Sequence, residues 1–272
     1  MTRILGLATC FNRKEKTLKA IECLIQGNPN IKFSFTIVDD GSTDGTKEEL
    51  EKMPQVSVIS GSGNLFYSGG MRVAIGNAKE KTEDFDYCLL FNDDVEFYDF
   101  AIEKLCQKEN SVIWVGPTCE KDGSLSYGGV GKTSRWLPRT KIIMAETKEG
   151  SICDTFNANC VLIPWKIFLD LENIDSKYTH SIGDFDYGFE AKKKGFVIKV
   201  SDEYVGMCPD NPVNSNNNWR NVNLSIKRRI ELKESPKGLP FSEYFHYLLK
   251  QYNFFTAIAY SIMPYIRIIL KK

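Results

Sequence analysis

Through its first two-thirds the chain alternates short apolar runs, each about the length of a buried strand, with segments of helical spacing, and this alternation limits the possible folds more than any other feature. Residues 3–10 form a strand-like run, and residues 14–25 carry Leu18, Ile21, Leu24 and Ile25 on one side of a helix. Residues 33–39 read as strand, 46–52 as a short helix, 56–60 as strand, 69–79 as helix and 87–91 as a buried strand. Strand, helix and strand in succession make a parallel sheet with right-handed crossovers, so the expected class is α/β, a mostly parallel sheet flanked by helices. Ligands of such sheets bind beyond the carboxyl ends of the strands. The polar segments 9–13, 39–44 and 92–94 each follow a strand and fall there.

Between residues 116 and 150 the pattern loosens into Gly-rich hairpin material. Residues 152–163 read as one strand, 165–171 and 184–194 as helices, 196–200 as strand and 209–218 as a polar, mobile loop. Two helical stretches, 222–234 and 241–270, close the chain, which divides into a body at 1–219 and a helical tail at 220–272. The formal charge of zero hides an asymmetry: the tail carries ten Lys and Arg against three Asp and Glu, +7, and the body the balancing −7.

A zero overall charge excludes the basic footprint of a nucleic-acid binder. The eight cysteines form no C-x-x-C pair and no His/Cys cluster, so free thiols in a reducing cytosol are expected rather than disulfides or structural zinc. The first apolar run is too short for an export signal.

The strongest local signal is Val38-Asp39-Asp40-Gly41-Ser42-Thr43-Asp44-Gly45-Thr46, two carboxylates entering a Gly turn at a strand end. It serves either as a capped strand-to-helix loop or as an acceptor for the N–H of a base and the hydroxyls of a ribose. The second is Asn92-Asp93-Asp94, which is a solvated acidic turn or a seat for Mg²⁺ or Mn²⁺ on a diphosphate, since hard oxygens suit those ions. The third is Gly183-Asp184-Phe185-Asp186, where an acid either caps a helix through the macrodipole or takes a proton as a general base.

In their order, TCFNR, VDDGSTDGT, GNLFYSGGMR, NDD and GDFDYGFEAKKKG resemble family-2 inverting glycosyltransferases, and among them the bacterial rhamnosyltransferase-like branch that assembles polysaccharides. The resemblance spans residues 4–200 and implies the Rossmann-like GT-A fold, with a nucleoside-diphosphate sugar as donor and a saccharide or lipid-linked saccharide as acceptor. Carried over residue by residue, Thr9, Asn12, Asp39 and Asp40 face the nucleoside; Asn64, Gly69, Gly70 and Arg72 line the donor cleft; Asp94, with Asp93 and Asn92, holds the metal, Asp93 also meeting the donor; and Asp184 is the base. Two departures stand out. Gly183 replaces a frequent Glu, leaving Asp186 as the second carboxylate, and where many members carry a metal-binding His this chain offers Cys208. A nucleotide-sugar-binding protein without turnover and a sugar nucleotidyltransferase are the alternatives.

The tail interleaves aromatic and aliphatic residues with Lys250, Arg267, Lys271 and Lys272. It falls short of the roughly 20 apolar residues that a membrane span requires, and suggests a helix pair on an anionic membrane surface at the inner face of the cell membrane, or else a helix packed on the protein's own core or on another subunit of a homo-oligomer. His180 is an orienting group or a structural hydrogen-bonder; Trp136 and Trp165 are candidates to stack on sugar rings, core packing being the expected role of Trp165.

Overall fold

The computed structural model describes residues 1–209 and 218–271; of the polar loop expected at 209–218, residues 210–217 lie outside the described residues. The first strands and helices follow the sequence pattern: β1 (Thr2–Cys10), α1 (Lys14–Gly27), β2 (Ile31–Asp39), α2 (Thr46–Leu50), β3 (Val56–Ser60), α3 (Phe66–Lys79) and β4 (Tyr87–Phe91). Then come β5 (Glu96–Phe97), α4 (Ala101–Cys106), β6 (Ile113–Val115), β7 (Thr118–Cys119), β8 (Leu125–Tyr127), β9 (Gly129–Lys132) and β10 (Thr140–Ile143). The chain continues through β11 (Ser151–Ile152), β12 (Thr155–Phe156), β13 (Cys160–Pro164), α5 (Trp165–Asp170), α6 (Gly183–Lys193), β14 (Ile198–Val200) and β15 (Gly206–Met207). The tail supplies α7 (Ile226–Glu234), α8 (Phe241–Gln251) and α9 (Phe254–Ile269).

Eight strands form the central sheet in the order β11-β14-β6-β13-β4-β1-β2-β3. β1 pairs in parallel with both β2 and β4, and β14 with β6, while β13 runs antiparallel to β4 and β6. The strand order turns back between β1 and β4, and at such a switch point the crevice beyond the carboxyl ends opens. Successive side chains of β1 point to opposite faces, so Leu5 and Leu7 enter one apolar layer with α3 and α6, and Ile4 and Ala8 the other with α1 and α4. Trp165 lies in the first layer against Phe85 and Phe168, the core role expected of it.

Three sequence expectations change. Residues 152–163 are not one strand: Cys153 N–H donates to the Ile198 carbonyl, Asp154 N–H to that of Val130 in β9, and only residues 160–164 join β4 and β6, so the stretch moves between partners. The expected helix at 241–270 breaks at Tyr252, and the Asn253 side chain caps α9 by accepting the Thr256 N–H at 3.0 Å. α4 and β6 are unmarked by the pattern, being too short to show a period; β6 joins the sheet between β14 and β13, and α4 packs in the layer of α1. All eight cysteines are free. Among the described residues no helix is long and apolar enough to cross a membrane.

Candidate functional site

The site is built at the switch point by loops that hold one another. Asn12, with a left-handed φ of 52°, follows β1 and donates its backbone N–H to Ser42 Oγ at 2.8 Å, while its side-chain oxygen accepts the Thr43 N–H at 2.8 Å. Asp39 Oδ1 accepts both the N–H and the hydroxyl of Ser42. Asp40 is buried and turns to the next loop: Oδ1 accepts the Gly63 N–H at 2.8 Å and Oδ2 the Phe66 N–H at 2.9 Å. Asp40 thus satisfies a free donor at the start of α3 from a distant segment, and α3 begins at Phe66 rather than at the Gly69 the sequence suggested. Thr9 donates to the Val38 carbonyl at 3.1 Å and lies against Gly70, where any Cβ would overlap its hydroxyl. Asn64 is exposed in the loop that Asp40 anchors.

At the end of β4, Asn92 N–H donates to the Asn159 carbonyl at 3.2 Å. Asp93 and Asp94 share one cation, Arg13, whose Nη1 lies 3.1 Å from Asp93 Oδ1 and 2.8 Å from Asp94 Oδ2. Thr17 Oγ1 donates to Asp93 Oδ2 at 3.2 Å. Burial pushes the Asp93 carboxyl up to about 6; Arg13 pulls against that shift and Asp94 adds to it. Cys208 stands 3.7 Å from Asp94 Oδ1 and accepts from Asn159 Nδ2 at 3.3 Å. Burial, and then the Asp94 charge, push its thiol up to about 12, so it stays neutral.

The third acid arrives on α6. Asp184 Oδ2 accepts the Ala158 N–H at 3.2 Å and Oδ1 the Phe185 N–H at 2.9 Å. Burial pushes its carboxyl up to about 6, against those hydrogen bonds. Ala158 and Asn159 are consecutive, so one short segment anchors both Asp184 and the acidic end of β4. On the other side, Ser68 Oγ donates to the His180 carbonyl at 2.9 Å, and the Ser68 and Gly69 N–H groups donate to the Thr179 carbonyl. The starts of α3 and α6 therefore abut, and the loops of Asp40, Asp94 and Asp184 meet at one rim of the sheet. Two bulky residues, Phe66 (φ 54°) and Ile182 (φ 58°), take left-handed backbone where these helices begin, strain of the kind held at functional turns.

Gly183 is explained by this packing: a Cβ there would overlap the Ser68 hydroxyl, which leaves no room for a Glu side chain. Asp186 is not a second carboxylate beside Asp184. Two residues on, about 200° around the helix, it faces the tail, with Lys250 Nζ at 2.6 Å from Oδ2 and Gln251 Nε2 at 2.7 Å from Oδ1. Arg72 is likewise spent on structure, its Nη1 donating to the Asp175 and Tyr178 carbonyls at 3.1 Å each, and Gly69 packs on Leu65. Sequence reasoning passed over Arg13, although its place after β1, beside a β4 that ends in two acids, marks it once the two strands are known to be neighbours. The His180 ring is neutral: burial pushes it down to about 4, helped by the charges of Lys237 and Arg13.

The sequence profile of glycosyl transferase family 2 matches residues 7–159, more than half the chain and the stretch that carries β1, the Asp39-Asp40 turn and the acidic end of β4. The chain belongs to glycosyl transferase family 2. No curated protein matches it in sequence. Among solved structures of this GT-A class, the mannosyltransferase PcManGT from Pyrobaculum calidifontis in complex with GDP-Man and Mn²⁺ is similar, with a TM-score of 0.58 at 11% identity over 99% of this chain and 72% of that one. S. aureus TarS 1–349 in complex with UDP-GlcNAc has a TM-score of 0.54 at 12% identity, over 100% and 72%. GalNAc-T7 with UDP, GalNAc and Mn²⁺ has a TM-score of 0.57 at 13% identity over 97% of this chain, which spans only 57% of its length. At such identities the likeness is one of fold.

In this family-2 chain the residues at hand fit a divalent ion as a shared guest. Among the described residues no three His, Cys, Asp or Glu side chains cluster to hold a metal unaided. Asp93 and Asp94 nevertheless give hard oxygens that already face a positive group, and Mg²⁺ is commonly held by one or two carboxylates with the phosphates of its substrate. The neutral Cys208 thiol adds no ligand suited to it.

Proposed function

We propose that the chain transfers a sugar from a nucleoside-diphosphate sugar to an acceptor hydroxyl with inversion, Asp184 serving as the general base. The observation that carries this reading is a carboxyl whose proton affinity burial has raised to about 6, at the rim where the acidic pair and the Asp39-Asp40 turn also open. A base that titrates near its working pH is suited to proton transfer. The Asp39-Asp40 turn, braced by Asn12 and Ser42, borders the nucleoside, and Asn64 with the 61–66 loop borders the donor.

Asp93 and Asp94 would hold Mg²⁺ or Mn²⁺, which when bound supplies positive charge for the departing diphosphate. Arg13 offers charge at the same place and can follow the diphosphate as it leaves. Asp184 accepts the proton of the acceptor hydroxyl as that oxygen bonds to the anomeric carbon, while the bond from that carbon to the diphosphate oxygen breaks on the opposite face. The sugar passes through an oxocarbenium-like state, and the general base contributes on the order of 10²–10⁴-fold.

The rhamnosyltransferase-like resemblance supports a deoxyhexose or hexose donor and a place in bacterial surface polysaccharide assembly, at the inner face of the cell membrane. Of the two departures from the family pattern, Gly183 is accounted for by its contact with Ser68. A thermal-shift panel of nucleotide sugars with and without Mn²⁺ tests the donor, because a ligand of the folded state raises the melting temperature by mass action. A flat panel, with no hydrolysis or transfer of any donor, would refute the reading.

A further inference from the structure

Helix α9 turns an apolar half to solvent. Thr256, Ala257, Ser261 and Ile268 face the body of the protein. With about 100° per residue, the opposite arc carries Phe254, Phe255, Ile258, Ile262, Ile266 and Leu270, all exposed, Phe255 to 82%. No charged residue falls on this arc. Arg267 is exposed beyond the edge of this arc, Lys271 is exposed just past the end of the helix, and no acidic residue follows Glu243. At the start of the helix, the Trp136 carbonyl accepts from Thr256 Oγ1 at 3.2 Å, its ring is 66% exposed, and the Arg135 guanidinium lies 5.5 Å over it. An apolar stripe with exposed cations near both ends, Arg135 at one and Arg267 and Lys271 at the other, and an aromatic beside it, has the composition of a helix lying in the headgroup boundary of a membrane. Its 16 residues reach about 24 Å, short of the roughly 30 Å hydrocarbon core, so it lies on the membrane rather than across it.

We propose that this face of α9 seats the protein in the surface of an anionic lipid bilayer, with Phe254, Phe255, Ile258, Ile262 and Ile266 in the acyl boundary and Arg267, Lys271 and Arg135 at the headgroups. A second copy is the poorer occupant. Helix α9 carries no acid with which a second copy could pair its cations, whereas anionic headgroups complement the exposed Arg267, Lys271 and Arg135. The inference rests on α9 and the neighbouring Arg135 and Trp136; it deepens the membrane placement proposed above and stands apart from the chemistry of the cleft.

Vesicle flotation of the full chain tests it, with phosphatidylcholine vesicles and with the same vesicles containing phosphatidylglycerol. The wild type is expected to float with the anionic vesicles and far less with the neutral ones. Phe255→Glu with Ile262→Glu, both at exposed positions, is expected to lower the bound fraction at least tenfold. Arg267→Gln with Lys271→Gln should lower partition about 25-fold, at about fivefold per cation near an anionic surface. Both double variants should keep the wild-type melting temperature, which separates lost docking from lost folding. Failure of the wild type to float with anionic vesicles, or equal flotation with both kinds, overturns the proposal. So does a stable dimer in light scattering that Phe255→Glu with Ile262→Glu dissociates, which would assign the face to a second copy.

Discussion

Arg13 stands 2.8 Å from Asp94, so a cation of the chain itself joins the loop after β1 to the end of β4 across the switch point of the sheet. The same nitrogen lies 3.1 Å from the buried Asp93, and one guanidinium therefore holds two adjacent carboxylates together. Arg13→Ala leaves that pair without its counter-charge. Because Arg13 is partly exposed, water screens much of the loss, and a destabilisation of about 1–2 kcal/mol is expected in urea unfolding. Mn²⁺ should raise the melting temperature of the variant more than that of the wild type, since the ion then meets the pair without competition. Equal Mn²⁺ responses would show that the pair is no cation seat.

Asp184→Asn should retain donor binding and lose about 10²–10⁴-fold in transfer rate. With its carboxyl pushed up to about 6, the wild type should gain kcat/KM with rising pH below that value and level off above it, because only the ionised form accepts a proton. The linkage to stability has the opposite sign. A carboxyl whose folded pKa is raised stabilises the fold below its unfolded value near 3.9, and that contribution disappears as pH climbs through about 6. Asp184→Asn leaves one of the Ala158 and Phe185 N–H groups without an acceptor, which costs stability at every pH, but its stability relative to the wild type should rise between pH 4 and pH 7. Unfolding curves at both pH values check this.

Asp186→Asn makes the contrast. Its carboxylate serves Lys250 and Gln251 rather than the cleft, so transfer by the folded variant should stay within a few-fold of wild type. Lys250→Ala leaves the buried Asp186 without its cation and should cost about 2–4 kcal/mol in denaturant unfolding. A rate loss in Asp186→Asn as large as that of Asp184→Asn would return Asp186 to the catalytic machinery.

Gly183→Ala places a methyl group on the Ser68 hydroxyl and should cost about 1–3 kcal/mol by overpacking. Ser68→Gly in the same chain opens the space and should restore part of that stability. The double-mutant cycle reads the coupling directly, and additive effects would show that the contact does not dictate glycine here.

Long, regular features could be read without coordinates. β1, β2, β3 and β4 declare themselves as apolar runs, each followed by its polar loop, and the acids of those loops fall where a parallel sheet opens. That follows because hydrophobic period and turn chemistry act over a few neighbouring residues. The short pieces could not be read: Ile113–Val115 spans three residues, and residues 152–163 are divided among several partners by hydrogen bonds to Val130 and Ile198. The single helix expected at 241–270 carried no Gly or Pro at its true break, Tyr252-Asn253.

Residue types and their order along the chain were enough to set the class of fold, its family and the three acidic loops. Which side chains in those loops remain available was a matter of distant partners. Asp186 goes to Lys250, 64 residues away; Arg72 goes to carbonyls more than 100 residues on; and Arg13 reaches Asp94 across 81 residues. A buried charge must find its counter-charge or donors wherever the packed chain brings them, and local pattern carries no trace of that choice.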